Sequence, residues 1–245
     1  ALVAGKSELD ITVVDEAGGH AKGFLGIEYL LFSRDGDAAA LARLSDDDEQ
    51  GFRRRTLVRL MGDELLASAH ELNDAWDPAK GGYATEIEQA GAGSKRYPTQ
   101  RAALDDVVGG IAFALELVVG VRLAEPLGKR ADGTPDPALD PTSASDSASA
   151  DMRATLDGVR ALYDDGLAGR ARSKSTALDE RIRTQLDSCR AGVESIPSPF
   201  RSALTDDTAK VESAYQACKV AKSTWNTDVT SALGATLKPS DNDGD

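Results

Sequence analysis

The chain has 245 residues, 41 acidic against 28 basic side chains and a formal charge of −13, a balance that opposes binding to nucleic acid or to an anionic membrane surface and leaves cations open as partners. Apolar residues make up 41% and charged residues 28%, the composition of a globular chain long enough for one large domain or two small ones. No run reaches the ~18 uninterrupted apolar residues of a membrane-spanning helix, no secretory signal opens the chain, and with Ala1 in place of Met a targeting segment upstream stays open.

The most apolar run, Gly23-Phe24-Leu25-Gly26-Ile27-Glu28-Tyr29-Leu30-Leu31-Phe32, carries one carboxylate near its centre. If this run is a buried helix, an unpaired ionised Glu28 is costly, so a cation, a hydrogen-bond donor or a proton must meet it. His20, in the Gly18-Gly19-His20 turn just before, is either an exposed turn residue or a group that folds back towards Glu28.

The spacing of Leu57, Met61, Leu65, Ala69, Leu72 and Trp76 predicts an amphipathic helix over Arg54–Trp76. The triplet Arg53-Arg54-Arg55 reads as its solvated start. His70 and Asp74 share a face, either as a solvated pair or as a two-ligand metal clip. Residues 77–98 are rich in glycine and turn residues. Leu104, Val108, Ile111, Leu115, Val118 and Val121 then predict a long helix over Thr99–Leu123, closed by Pro126 and Gly128.

The Pro/Ser/Asp/Ala stretch 129–150 reads as an exposed, flexible loop. Met152, Leu156, Val159 and Tyr163 mark a helix from Asp151 to Gly166. Leu178, Ile182, Leu186, Cys189 and Val193 mark the next, ended by Pro197 and Pro199. Val211, Tyr215, Cys218, Trp225, Val229 and Leu233 mark the last, up to Gly234. With no alternating run, the expected fold class is all-α. Residues 99–245 hold an up-down four-helix bundle, and residues 1–98 hold an N-terminal bundle too short of helices to bury its own apolar faces.

Cys189 and Cys218, the only cysteines, lie on consecutive helices that antiparallel packing would bring to one level. They are either a disulfide, which favours an oxidising compartment, or two buried thiols.

No HExxH, nucleophile elbow, phosphate-binding glycine loop or paired CxxC occurs. With His20 and His70 the only histidines, a multi-histidine transition-metal site cannot be built from this chain alone, although a carboxylate-dominated one can. The tail Asp241-Asn242-Asp243-Gly244-Asp245 has the opening of a calcium loop but no later bidentate glutamate, and reads as a solvated acidic tail.

Gly23, Glu28, Tyr29, Leu30, Leu31 and Phe32 match a helix motif of Gly-x-His-x-x-Glu followed by an aromatic residue and leucines. Leu123-Ala124-Glu125-Pro126-Leu127-Gly128 and the stretch from Asp228 through Leu233-Gly234-Ala235-Thr236-Leu237 to the acidic tail are similar in the same order. In these segments the chain resembles the imelysin-like proteins, bacterial envelope proteins once classed as metallopeptidases. The resemblance implies an all-helical fold of two related bundles, with the motif helix near their interface and further N-terminal helices packed on residues 1–98. It implies export to the periplasm or outer membrane, a signal peptide in the precursor, and a tie to iron acquisition through iron-uptake or other envelope partners.

The motif histidine falls on Leu25, which offers no donor atom. The candidate ligand-binding residues are therefore Gly23, Glu28, Tyr29 and His20, with Glu28 the candidate metal ligand, a divalent metal or iron the candidate cofactor, and no residue assigned to catalysis. The favoured expectation is a non-catalytic ligand- or metal-binding protein. An imelysin-type metallopeptidase and a purely structural or interaction protein are the alternatives.

Overall fold

Helical periodicity without strand alternation gives an all-α chain, and no strand occurs among the described residues of the computed structural model, which are 2–5, 8–16, 18, 22–32 and 36–238. The chain divides between Thr85 and Glu86 into two compact units, ahead of the division after residue 98 that the turn-rich segment suggests. The reason is local. Ile87, Ala90, Tyr97, Ala102 and Ala103 form a small apolar cluster, Tyr97 Oη donates to Asp106 at 3.0 Å, and the Glu86 carboxylate accepts from Ser94 Oγ at 2.5 Å and Arg96 N at 3.0 Å. Residues 86–98 thus fold with the helix that follows them.

In the first unit, α1 (Ile11–Glu16), α2 (Gly23–Leu31) and α3 (Asp37–Ser45) pack on the long α4 (Glu49–Trp76). Asp48 caps α4 by accepting from Gly51 N at 2.7 Å, leaving fewer of its first amides unsatisfied. The core is Val14, Leu30, Leu57, Leu60 and Met61. It covers only the first half of the α4 stripe, and Leu72 and Trp76 of the second half are exposed.

The arginine triplet departs from its expected solvated role. Arg53 is 6% exposed and donates Nε and Nη2 to the carbonyl of Leu2 at 3.2 and 2.9 Å. Arg55 donates to the carbonyls of Leu44 and Asp46 at 2.6 and 2.9 Å. A guanidinium presents five donors in a fixed fork, so these two tie neighbouring chain segments to α4.

After the short α5 (Tyr83–Glu88), Thr99 caps α6 (Gln100–Glu116) by accepting from Ala102 N at 3.1 Å. The helix then widens into the π-helical segment π1 (Leu117–Ala124). Helix α7 (Ala148–Leu162) runs on through π2 (Tyr163–Leu167) into α8 (Ala168–Lys174). The stop expected at Gly166 does not occur, because Leu167, Ala168 and Ala171 beyond it are buried and their burial outweighs the weak helix propensity of one glycine. The chain turns instead at Ser175, which caps α9 (Thr176–Glu194). After α10 (Phe200–Asp206), α11 (Thr208–Thr224) continues through π3 (Trp225–Val229) and α12 (Thr230–Leu233), and ends on Gly234 at φ 69°.

Helices α6, α7, α9 and α11 each pack on the next, and α11 packs back on α6. Pairings show their sense. Arg153 meets Glu194 while Arg190 meets Asp157, and Cys189 is bonded to Cys218 with Cα atoms 4.3 Å apart while Gly192 abuts Ala214. Rising numbers on one helix meet falling numbers on the other, so α7/α9 and α9/α11 are antiparallel. The bundle core is closed by Trp225, whose indole N–H donates to the Val108 carbonyl at 3.1 Å and whose ring meets Tyr163 edge-on at 5.9 Å.

Beside Tyr163 lies Asp179, 2% exposed. It accepts from Tyr163 Oη at 2.9 Å, Arg172 Nε at 2.9 Å and Arg183 Nε at 3.0 Å. Burial alone would raise the Asp179 carboxyl, but the donors from Arg183, Arg172 and Tyr163 hold it below its ordinary value. Burial and the hydrogen bond to Asp179 push the Tyr163 phenol up.

Two further expectations change. The 129–150 segment is not simply an exposed loop: it forms a 3-10 turn at Pro137–Leu139, buries Asp140, Thr142 and Ala148, and ties Asp146 to Ser198 Oγ and to Phe200 N, the latter at 2.7 Å. The continuous helix Gln100–Ala124 is long and apolar enough to cross a membrane, with mean hydropathy 2.0 over its best window. A search for uninterrupted apolar residues passes over it because Glu116 and Arg122 break the run. Val108, Ile111, Leu115, Val118 and Leu123 of this helix lie in the bundle core.

Candidate functional site

Helix α2 carries the motif residues. It starts at Gly23, whose φ of 71° lies in the left-handed region that glycine enters without strain. Lys22 precedes it with Nζ 3.6 Å from Asp15 Oδ1 and 3.8 Å from Glu64 Oε1, pinning the start of α2 between α1 and α4. Gly26 and Leu30 are buried and Ile27 packs against the core of the first unit, so this side of α2 sits on α4. The glycine at position 26 keeps the buried side small.

The opposite arc is apolar too, and it faces outward. Phe24 is 77% exposed, Tyr29 75% and Leu25 45%, and Phe32 at the end of the helix is exposed as well. Positions 24, 25, 28 and 29 share this arc by helical spacing, which places Glu28 among them. Glu28 is half-buried and engaged by neighbouring groups, and its backbone carbonyl accepts from Phe32 N at 2.9 Å. The expected buried helix is thus a helix with one buried apolar side and one presented apolar side. A carboxylate set among aromatic rings can accept hydrogen bonds from, or pair with, a donor on a partner while the rings bury its apolar body.

The candidate residues separate as follows. Gly23, Leu25, Glu28 and Tyr29 lie together on α2, whereas His20 and the acidic tail 241–245 lie outside the described residues. His70 and Asp74 do not form a clip, since His70 is exposed and Asp74 accepts instead from Lys80 Nζ at 2.6 Å. Among the described residues no group of three or more His, Cys, Asp or Glu side chains is placed to hold a metal. Leu25, in the place of the motif histidine, has no lone pair to offer, so the described residues do not fit a metal centre on α2. Sequence reasoning passed over Lys22 and Phe24. The signal for Phe24 was its place one turn before Glu28, which puts it on the carboxylate's face whichever side is buried.

No curated protein matches the chain. The family model described as imelysin, a peptidase family, matches residues 2–224, a span that takes in the motif helix, the arginine triplet, the 129–150 segment and the bundle up to the end of α11. The chain belongs to the imelysin family.

Proposed function

We propose that this imelysin-family chain is an exported, non-catalytic binding protein whose working surface is the outward arc of α2, with Glu28 as its polar anchor and Phe24, Leu25, Tyr29 and Phe32 as its apolar body. The observation that carries the proposal is the two-sided apolarity of α2: one side satisfies the core, and the other presents aromatic area around a single carboxylate. Large exposed apolar patches on folded proteins mark interaction surfaces. The peptidase alternative requires a positioned metal with an open site for water, and Leu25 removes the motif's imidazole. Export is supported by the Cys189–Cys218 disulfide, a bond that persists in oxidising compartments. Iron acquisition is the setting that the family resemblance suggests.

The test pairs two measurements on the purified protein: metal content by mass spectrometry after exposure to iron, zinc and calcium, and pull-down of envelope proteins. Each is run with the native chain, Glu28→Gln and the double variant Phe24→Ser/Tyr29→Ser. Binding of a partner that both variants lose, with native melting temperature, supports the proposal. Stoichiometric metal that Glu28→Gln alone loses, together with chelator-sensitive cleavage of a protein substrate, would overturn it in favour of a metallopeptidase.

A further inference from the structure

The second half of α4 runs past the core of the first unit and keeps an apolar seam of its own. Leu65, Ala69, Leu72 and Trp76 follow one another at steps of four, three and four residues, the spacing of the a and d positions at which one helix meets another. Leu65 is half-buried, the other three are exposed, and Leu66 beside them is exposed as well. The seam is about 17 Å long at the rise of an α-helix. Trp76, at its end, is held in place. Gly81 N donates to the Asp74 carbonyl at 2.9 Å, and the turn folds back so closely that a Cβ on Gly81 would lie 2.6 Å from the Ala75 Cα. Tyr83, the first residue of α5, then meets the Trp76 ring edge-on at 4.7 Å. A tryptophan fixed by its neighbours and still 47% exposed offers a large contact area with little side-chain entropy left to lose, the trait of residues that carry binding energy.

The charges around the seam select its partner. From Gly62 to Lys80 five carboxylates, Asp63, Glu64, Glu71, Asp74 and Asp77, stand against one lysine, and that lysine is committed to Asp74 at 2.6 Å. The arginines of α4 lie in its first half, where Arg53 and Arg55 donate to backbone carbonyls and Arg59 reaches as far as Asp63, at 3.0 Å. Glu64 and Glu71 follow one flank of the seam, seven residues apart, while Leu66 and Asn73 follow the other. Lys22 stands 3.8 Å from Glu64, and Glu71 is exposed to solvent. A second copy of this chain would bring the same excess of carboxylates to the contact and be repelled, as would any acidic partner. A cationic partner is attracted.

We propose that the second half of α4 docks a basic amphipathic helix of a partner protein. The apolar residues of that helix, at a and d spacing, cover Leu65, Ala69, Leu72 and Trp76, and lysines or arginines along its edge face Glu71 and the neighbouring carboxylates. An amphipathic helix laid on an apolar face is a recurring mode of peptide recognition. The proposal does not rest on the α2 arc.

The test titrates the full chain with a synthetic peptide of about three heptads, leucine at a and d and lysine at e and g, and follows tryptophan emission and its quenching by acrylamide. Of the two tryptophans, Trp225 is fully buried, so the quenchable emission belongs to Trp76. The expected result is a saturable blue shift with protection from acrylamide, weakening as salt is raised. The same heptads with glutamate in place of lysine, and a scrambled peptide of the lysine composition, should each bind at least about tenfold more weakly. Leu72→Ser, at an exposed position where the melting temperature should stay native, should weaken the lysine peptide by at least about tenfold. Glu71→Lys should weaken it by about threefold or more. No saturable shift, equal binding of the glutamate or the scrambled peptide, or undiminished binding by Leu72→Ser would each overturn the proposal. So would a concentration-dependent dimer of the chain alone, seen by sedimentation and abolished by Leu72→Ser, because the seam would then serve a second copy. Phe24→Ser/Tyr29→Ser should leave peptide binding unchanged, which keeps this surface separate from α2; loss of binding in that variant would place the peptide on α2 and overturn the proposal as well.

Discussion

Asp179 is the residue whose chemistry the bundle has most thoroughly committed. It is nearly inaccessible to solvent and is met by two guanidinium groups and a phenol, so removing its charge leaves Arg172 and Arg183 without their shared counterion. Asp179→Asn should destabilise the second unit by roughly 1–3 kcal/mol at neutral pH, the cost of weakening buried hydrogen bonds, since Arg172 reaches solvent and Arg183 keeps Asp164. The folded carboxyl titrates below its unfolded value of about 3.9, so its stabilisation is complete above that value and is lost as pH falls through the lower folded one. Chemical denaturation of both proteins from pH 7 down to pH 3 should show their difference shrinking only below about pH 4. A constant difference across that range would remove the ionised carboxylate from the account.

At the scale of elements, the α9–α11 pair joins a packed interface to a covalent link. Gly192 lets α11 approach so closely that a Cβ there would lie 3.1 Å from the Ala214 Cα, and Cys189–Cys218 ties the same two helices across a sequence separation of 29 residues. Closing a loop of that length restricts the unfolded chain by about 3–4 kcal/mol in the chain-entropy treatment. Reduction, or the double variant Cys189→Ala/Cys218→Ala, should therefore lower the melting temperature of the second unit, measured by calorimetry with and without reductant. An identical transition under reducing conditions would mean that packing alone sets the stability of the pair. Element ends obey the same hierarchy of forces. Gly166 fails to stop its helix because buried residues follow it, whereas Gly234 does end one, because the chain beyond it turns back to α6, where Thr236 accepts from Arg101 at 2.9 Å.

For the whole molecule, the two units differ in how much apolar area they enclose. Among the described residues, the core of the first is a handful of side chains on α1, α2 and α4, while that of the second runs through every helix of its bundle and holds Trp225, Tyr163 and Phe200. Local stability follows buried apolar contact, so hydrogen exchange read by mass spectrometry should show the amides of α1–α3 and the last turns of α4 exchanging well before those of α6, α9 and α11. Equal protection in both units would point to cover on the first unit that its own residues do not provide. Partner binding on α2 should slow exchange there and leave the bundle unchanged.

The all-α class and the run of long helices followed from periodicity, because apolar residues recurring every three or four positions have only one regular way to share a face. The motif helix and its single carboxylate were equally plain, and they carried the family resemblance. Tertiary structure decided the rest. Which side of α2 is buried depends on Leu57, Leu60 and Met61 of a helix some thirty positions away, and no local pattern separates two apolar sides of one helix. The burial of Arg53 depends on where the Leu2 carbonyl comes to lie, and Asp179 acquires Tyr163 and Arg172 only when π2 and α8 pack on α9. The Glu116–Lys222 ion pair joins residues more than a hundred positions apart, beside π-helical turns that hydrophobic periodicity does not announce. Periodicity is a property of neighbours along the chain and is written in the sequence; a site is a property of neighbours in space, and it exists only once the helices have chosen each other.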